Sequence, residues 1–421
     1  MLTTPLIPTD SLTVDVEKAY AVLKNVVLRT PLQYNARLSR KYGAEIYFKR
    51  EDLQAVRSYK IRGAYYNIYN LTEEQRARGV VCASAGNHAQ GFASACSQMQ
   101  IKGVVFMPQV TPRQKIERVR QFGEDCVRIE LVGNTYDEAA HVANLYCTEN
   151  SMTYVHAFDN LNTIAGQGTV AYEILQDMPD VDIVVSPIGG GGLVAGMSYY
   201  FKSQQPSVQV VGVDPLGAPK MVEALKAGYP KVLDKIDSFM DGAAVKKVGN
   251  LTFEFVRKYI DKVIATPEGK TCTVMIELYQ NEGLIAEPAG AVSVAALEQL
   301  REEIAGKKVV CIISGGNNDI ARYPEVIDRS MIYEGLKHYF ILEFAQKPGQ
   351  LLQFLQKVLG PTDDIVRFEY LKSTNREYGP ALVGIELTNK DDLDALLQRM
   401  NDLNITYKNI MQDDVLRKYL M

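Results

Sequence analysis

The chain of 421 residues is 47% hydrophobic and 23% charged, with a formal net charge of −4, the proportions of a globular protein rather than a disordered or fibrous one. At ~100–200 residues per domain, this length predicts two or three domains, each with its own core. No basic stripe points to nucleic acid, no run approaches the ~18 apolar residues of a membrane-spanning helix, and MLTTPLIPTDSL lacks the basic-then-apolar start of a secretory signal.

Up to about residue 330, short Val- and Ile-rich runs alternate with segments of helical period. Strands are predicted at 44–49, 80–84, 103–107, 126–131, 153–158, 183–187, 208–213 and 309–313. Helices are predicted between several of them, at 87–99, 112–122, 136–150 and 163–178. Pro112 suits the first turn of its helix, where a missing N–H costs nothing. The alternation implies an α/β unit over 1–330, with open, mostly parallel sheets covered by helices on both faces and a small subdomain over about 46–155.

Residues 329–337 are polar and break the pattern. After them come a strand at 339–344, a KPGQ turn, and a helix whose apolar stripe is Leu351, Leu352, Leu355 and Val358. Strands at 365–370 and 381–387, a helix at 391–403 and a strand at 405–410 complete a βαββαβ order. That order predicts an α+β, ferredoxin-like unit over 336–421. The six cysteines (Cys82, Cys96, Cys126, Cys147, Cys272 and Cys311) show no paired spacing. They read as buried reduced thiols in a cytoplasmic or similarly reducing compartment.

Four stretches carry chemistry. Ser58-Tyr59-Lys60-Ile61-Arg62-Gly63-Ala64 places a lysine at a helix start, where the dipole and burial lower its pKa toward that of a nucleophile. Alone, such a lysine is an ordinary surface group. Ser84-Ala85-Gly86-Asn87-His88 ends a strand and opens a helix, so its N–H and side-chain donors suit a carboxylate; a plain capped turn reads the same way. Gly189-Gly190-Gly191-Gly192-Leu193 removes every side chain from a strand–helix turn, letting backbone N–H groups wrap a phosphate. No GK[ST] follows, so it is not a nucleotide P-loop. Ser314, in Ile313-Ser314-Gly315-Gly316-Asn317, also ends a strand, where open α/β sheets bind ligands.

In this order and spacing, SYKIRGA, SAGNHAQG, PIGGGGLVAG and ISGGNND resemble the tryptophan-synthase-β-like (fold type II) pyridoxal phosphate (PLP) enzymes. Among these, the chain most resembles the threonine ammonia-lyases, with serine dehydratase and serine racemase relatives close by. The likeness spans about residues 15–325, and the C-terminal unit resembles one ACT-like regulatory module. The resemblance implies that Lys60 carries PLP as a Schiff base and then serves as base at the substrate α-carbon. It implies that Gly189, Gly190, Gly191, Gly192 and Leu193 bind the cofactor phosphate, that Asn87 bonds the ring hydroxyl oxygen, and that Ser314 meets the pyridine nitrogen. Ser84, Gly86, Asn87 and His88 would then hold the substrate carboxylate, with Glu287 beside the site. A serine at the ring nitrogen leaves a poorer electron sink than a carboxylate would, which favours β-elimination over transamination. The implied activity converts L-threonine to 2-oxobutanoate and ammonia, a first step toward isoleucine. Isoleucine and valine are the candidate effectors, and a homodimer or homotetramer is the expected assembly.

Serine racemase relatives hold a divalent cation through acidic residues after the strand matching Val211-Gly212-Val213-Asp214. Here Lys220 stands where a second acidic ligand is expected, so no metal is expected. His141, His156 and His338 join no constellation. A catabolic serine/threonine dehydratase, a racemase, and a non-catalytic amino-acid sensor of the same fold are the competing readings. The appended regulatory unit argues against the purely catabolic reading. Lys60 and the glycine loop argue against the sensor.

Overall fold

Among the residues described by the computed structural model, 12–370, 377–412 and 416, fourteen strands form three sheets. In chain order they are β1 Leu32–Tyr34, β2 Glu45–Arg50, β3 Val80–Ala83, β4 Gly103–Met107, β5 Val127–Leu131, β6 Thr153–Tyr154 and β7 Ile183–Pro187. Next come β8 Gln209–Pro215, β9 Lys262–Thr266, β10 Lys308–Ile313, β11 Lys337–Ala345, β12 Asp364–Tyr370, β13 Tyr378–Glu386 and β14 Tyr407–Asn409. The chain divides into two units, Met1–Asn318 and Asp319–Met421.

The first unit holds two sheets. One has the order β1-β2-β10-β7-β8-β9 and is parallel except for β1. The other, β5-β4-β3-β6, is parallel throughout. Every residue of β3, β4 and β7 is buried. Helices therefore cover both sheet faces, and continuous apolar runs replace the alternation of a half-exposed strand. Val184, Val194, Val210, Phe253 and Ile312 share the core of the larger sheet. Phe92, Val105 and Val119 pack on one face of the smaller sheet, and Val104, Phe106 and Ala143 on the other.

In the second unit, β12-β13-β11-β14 form an antiparallel sheet in the expected βαββαβ order. Phe344, Phe354, Val383 and Leu396 lie in its core. The predicted stripe on the first helix, Gln350–Lys357, needs correcting. Phe354 and Val358 are buried, whereas Leu351, Leu352 and Leu355 are 43%, 57% and 41% exposed. The edge-on contact of Phe354 with Phe344 at 5.3 Å sets the helix phase.

Other expectations shift for local reasons. The strand predicted at 153–158 ends as β6 at Tyr154, because His156 Nδ1 accepts the N–H groups of Phe158 and Asp159 and turns the chain. Pro112 is the N-cap of Arg113–Gly123 and not part of its first turn. Within the polar stretch 329–337, the helix Tyr323–Tyr333 ends and Lys337 opens β11, bonded to Asp328 at 2.6 Å. The strands β1 and β9 were not predicted from the sequence. Both are sheet edges, with no fully buried residue in β1 and only Thr266 in β9.

Candidate active site

The four sequence stretches meet at the carboxyl ends of the parallel strands. Lys60 is the first residue of the helix Lys60–Tyr69 and is 9% exposed. Among the described residues its Nζ has a single hydrogen bond, to the Ala157 carbonyl at 3.3 Å, and it lies 5.2 Å from the centre of the Tyr59 ring. Burial lowers the amine to about 8, against the opposing pull of Glu287. Just upstream, the Tyr59 N–H donates to the Ser314 carbonyl at 3.2 Å, and Ser58 bridges to Gly315. Ser58 Oγ is buried without a hydrogen-bond partner among the described residues.

The glycine loop reaches the same place from the larger sheet. Gly191 has φ +98 and caps the helix Gly192–Gln204, with no side chain on the first-turn N–H groups. A Cβ on Gly190 would lie 2.2 Å from the Phe158 ring. The loop is thus pressed against the residue next to the carbonyl that holds Lys60. Thr252 Oγ1 ties the loop by donating to the Gly190 carbonyl at 2.7 Å. The Leu193 side chain packs in the core, so only its backbone faces the turn.

The Ser84–His88 turn opens the helix Asn87–Met99, whose first turn also lacks a side-chain cap. Ser84 Oγ accepts the Gly86 N–H at 3.2 Å, and a Cβ on Gly86 would meet nothing within 4 Å, so the turn faces open space. Asn87 Nδ2 donates to Glu287 Oε1 at 2.6 Å. The His88 ring turns away, with Nε2 3.0 Å from the Val155 carbonyl. Because a carbonyl only accepts, Nε2 carries the proton, and burial lowers this imidazole to about 3. Ser314 is buried, with Oγ donating to the Ala289 carbonyl at 3.2 Å. Glu287 is 4% exposed, and burial raises its carboxyl to about 7.

Three features escaped the sequence reading. Arg62, two residues after Lys60, holds Glu51 through Nε and Nη2 at 2.8 Å each, and Glu173 through Nη1 at 2.8 Å and Nη2 at 2.9 Å. Lys49 completes this group at 2.7 Å from Glu173, and all four side chains are at most 1% exposed. His156, assigned nothing before, shapes the turn that carries Ala157 and Phe158. Asn317 Nδ2 donates to Asn87 Oδ1 at 2.7 Å. Only the motif ISGGNND could have signalled that contact.

Lys220 is fully buried, with Nζ 2.7 Å from Asp214 Oδ1 and 2.6 Å from the Ile188 carbonyl that leads into the glycine loop. Asp214 Oδ2 accepts the N–H groups of Met221 and Val222. Among the described residues, no group of three or more His, Cys, Asp or Glu side chains could hold a metal ion.

The family described as "Pyridoxal-phosphate dependent enzyme" matches residues 23–315, and "C-terminal regulatory domain of Threonine dehydratase" matches 328–420. The "L-threonine dehydratase biosynthetic IlvA" of Bacillus subtilis is 50% identical over 398 residues, covering 94% of each chain. That of Mycobacterium bovis is 50% identical over 410 residues, covering 97% of this chain and 95% of its own. Among solved structures, processed threonine deaminase isoform 2 from Solanum lycopersicum superposes with a TM-score of 0.70 at 34% identity, covering 77% of this chain and 99% of its own. Maize serine racemase gives 0.70 at 28% identity, covering 78% and 99%. The two family models follow one another along the chain and the curated relatives match it over nearly their whole length, so the chain belongs to the pyridoxal-phosphate-dependent enzymes, among the biosynthetic L-threonine dehydratases.

Proposed function

We propose that the chain converts L-threonine to 2-oxobutanoate and ammonia, feeding isoleucine synthesis, under allosteric control exerted through the unit Asp319–Met421. The observation that carries this reading is Lys60 itself: a buried amine at a helix start, held by the Ala157 carbonyl next to the Phe158 ring on which the glycine turn packs, with the Ser314 carbonyl bonded to the neighbouring Tyr59 N–H. The residues fit PLP. The first-turn N–H groups after Gly191 suit a phosphate, and among the described residues Ser58 Oγ is buried and unpartnered and Lys60 Nζ has one long hydrogen bond. When bound, PLP supplies the electron sink that makes the substrate α-hydrogen acidic.

Each residue then has a task. Lys60 Nζ would hold the cofactor and, as a free amine, would take the proton from the substrate α-carbon. Gly189, Gly190, Gly191, Gly192 and Leu193 present backbone N–H groups to the phosphate dianion. Asn87 donates an N–H to the ring oxygen, and Ser314 offers the ring nitrogen a hydroxyl without charge. Ser84, Gly86, Asn87 and the backbone of His88, whose ring is turned to the Val155 carbonyl, would receive the substrate carboxylate at the open side of Gly86. Lys220 holds the place of a cation beside the loop, so no metal is required. Isoleucine and valine as effectors, a homodimer or homotetramer, and a cytoplasmic setting for the free thiols complete the reading.

The test is keto-acid formation from threonine and from serine, with and without isoleucine, on the full chain and on a chain ending near residue 335. The full chain should form 2-oxobutanoate faster than it forms pyruvate, and the shortened chain should retain catalysis and lose the isoleucine response. Absence of keto acid from both substrates would refute the enzyme reading. Equal inhibition of the shortened chain would refute the regulatory one.

A further inference from the structure

Asn87 sits in a hydrogen-bonded chain whose polarity is set from the Val56 end. The Val56 carbonyl can only accept, so Asn317 must turn its Nδ2 toward it, at 2.8 Å. The same Nδ2 donates to Asn87 Oδ1 at 2.7 Å. That places Asn87 Nδ2 opposite Glu287 Oε1, where it donates at 2.6 Å. The carboxylate itself has little room to move. A Cβ on Gly315 would lie 2.4 Å from Glu287 Oε1, and the Glu287 N–H is bonded to the Gly315 carbonyl at 3.1 Å. Gly242 packs over the other side, with its would-be Cβ 3.8 Å from Asn87 Nδ2 and 3.9 Å from Glu287 Oε1.

A side-chain amide has two faces that differ only in which end donates, and unaided it flips readily between them. Here one acceptor and one donor hold it from opposite sides. One Nδ2 hydrogen goes to Glu287, and the second has no protein partner among the described residues. We propose that Asn317 and Glu287 are positioning residues that fix the direction of the Asn87 amide, so that its remaining N–H, and not its oxygen, faces the cofactor ring oxygen. This deepens, and rests on, the reading that Asn87 contacts the cofactor.

The inference is tested on holoenzyme and on its resolved apo form. The readouts are the cofactor dissociation constant, the absorption band of the bound cofactor, and the apo melting temperature. Glu287→Leu removes the acceptor, and Asn317→Asp sets an acceptor against Asn87 Oδ1 without changing size. Both should weaken cofactor binding about tenfold or more, as expected from losing a hydrogen bond to a charged group or opposing two acceptors, and should displace the band in the direction seen for Asn87→Ala. Glu287→Gln retains a carbonyl acceptor and should lose at most about threefold. If Asn87→Ala binds the cofactor like the parent, the reading of Asn87 fails and the inference falls with it. If Asn87→Ala is weakened while Glu287→Leu and Asn317→Asp match the parent in affinity and band, the positioning inference alone is overturned. Equal damage in Glu287→Gln and Glu287→Leu would also overturn it, since charge rather than direction would then matter. Should Glu287→Leu fail to fold, Asn317→Asp decides.

Discussion

Replacing Arg62 by methionine isolates the buried ion group beneath Lys60. The group pairs two cations, Lys49 and Arg62, with two carboxylates, Glu51 and Glu173, and is electrically neutral. Thr30 supports it, with Oγ1 donating to Glu51 at 2.6 Å and its carbonyl accepting from Lys49 at 2.7 Å. Burial penalises the Glu51 charge, yet the Arg62 guanidinium holds the carboxyl below its ordinary value. Without Arg62, four charge-assisted bonds vanish and one negative charge is left uncompensated in a site closed to water. Breaking a buried pair from one side costs ~3–5 kcal/mol, about a fifth or more of a typical domain stability of ~5–15 kcal/mol. Urea denaturation of the apo form should show that loss. The double variant Arg62→Met/Glu173→Gln, which restores neutrality, should recover at least ~1 kcal/mol relative to Arg62→Met. A loss under ~1 kcal/mol for Arg62→Met, or a double variant weaker than the single, would refute the reasoning. The group joins the end of β2, the turn after it, the helix Leu161–Asp177 and the helix that Lys60 opens, so cofactor retention should fall alongside stability.

Lys60 is lowered by burial from 10.5 to about 8, so its neutral fraction saturates well below the ordinary lysine range. The rate of cofactor reattachment to apo-protein should climb up to about pH 8 and then level off; a continued climb toward 10.5 would contradict this. Gly190→Ala would set a methyl group 2.2 Å from the Phe158 ring, where ordinary contacts are ~3.5–4.0 Å, and so would displace the segment that holds Lys60. Cofactor affinity should drop about tenfold, with ~1–3 kcal/mol of overpacking in the melting curve, and an unchanged affinity would argue against loop and lysine forming one site. Chelator treatment should leave activity intact, because Lys220 Nζ already bonds Asp214 and the Ile188 carbonyl. Loss of activity reversed by magnesium would contradict it.

Local chemistry wrote much of this fold plainly. The helix Asn87–Met99 was readable because Ser84-Ala85-Gly86 announces its start, and β7 because Ile183-Val184-Val185 is a short β-branched run. What escaped was whatever depends on distant partners. Arg62 meets Glu173 across 111 residues, and Asn317 meets Asn87 across 230. No periodicity couples such positions. The strands β1 and β9 escaped because edge strands need neither a long run nor full burial. The stripe on Gln350–Lys357 was misassigned because leucines outnumber the single phenylalanine that fixes its phase.

The most direct measurement is borohydride reduction of the holoenzyme, followed by peptide mass mapping, on the parent and on Lys60→Ala. The parent should carry the reduced cofactor on the peptide containing Lys60, and Lys60→Ala should carry none and turn over neither threonine nor serine. An adduct on another lysine of the parent, or turnover by Lys60→Ala, would contradict the assignment of Lys60.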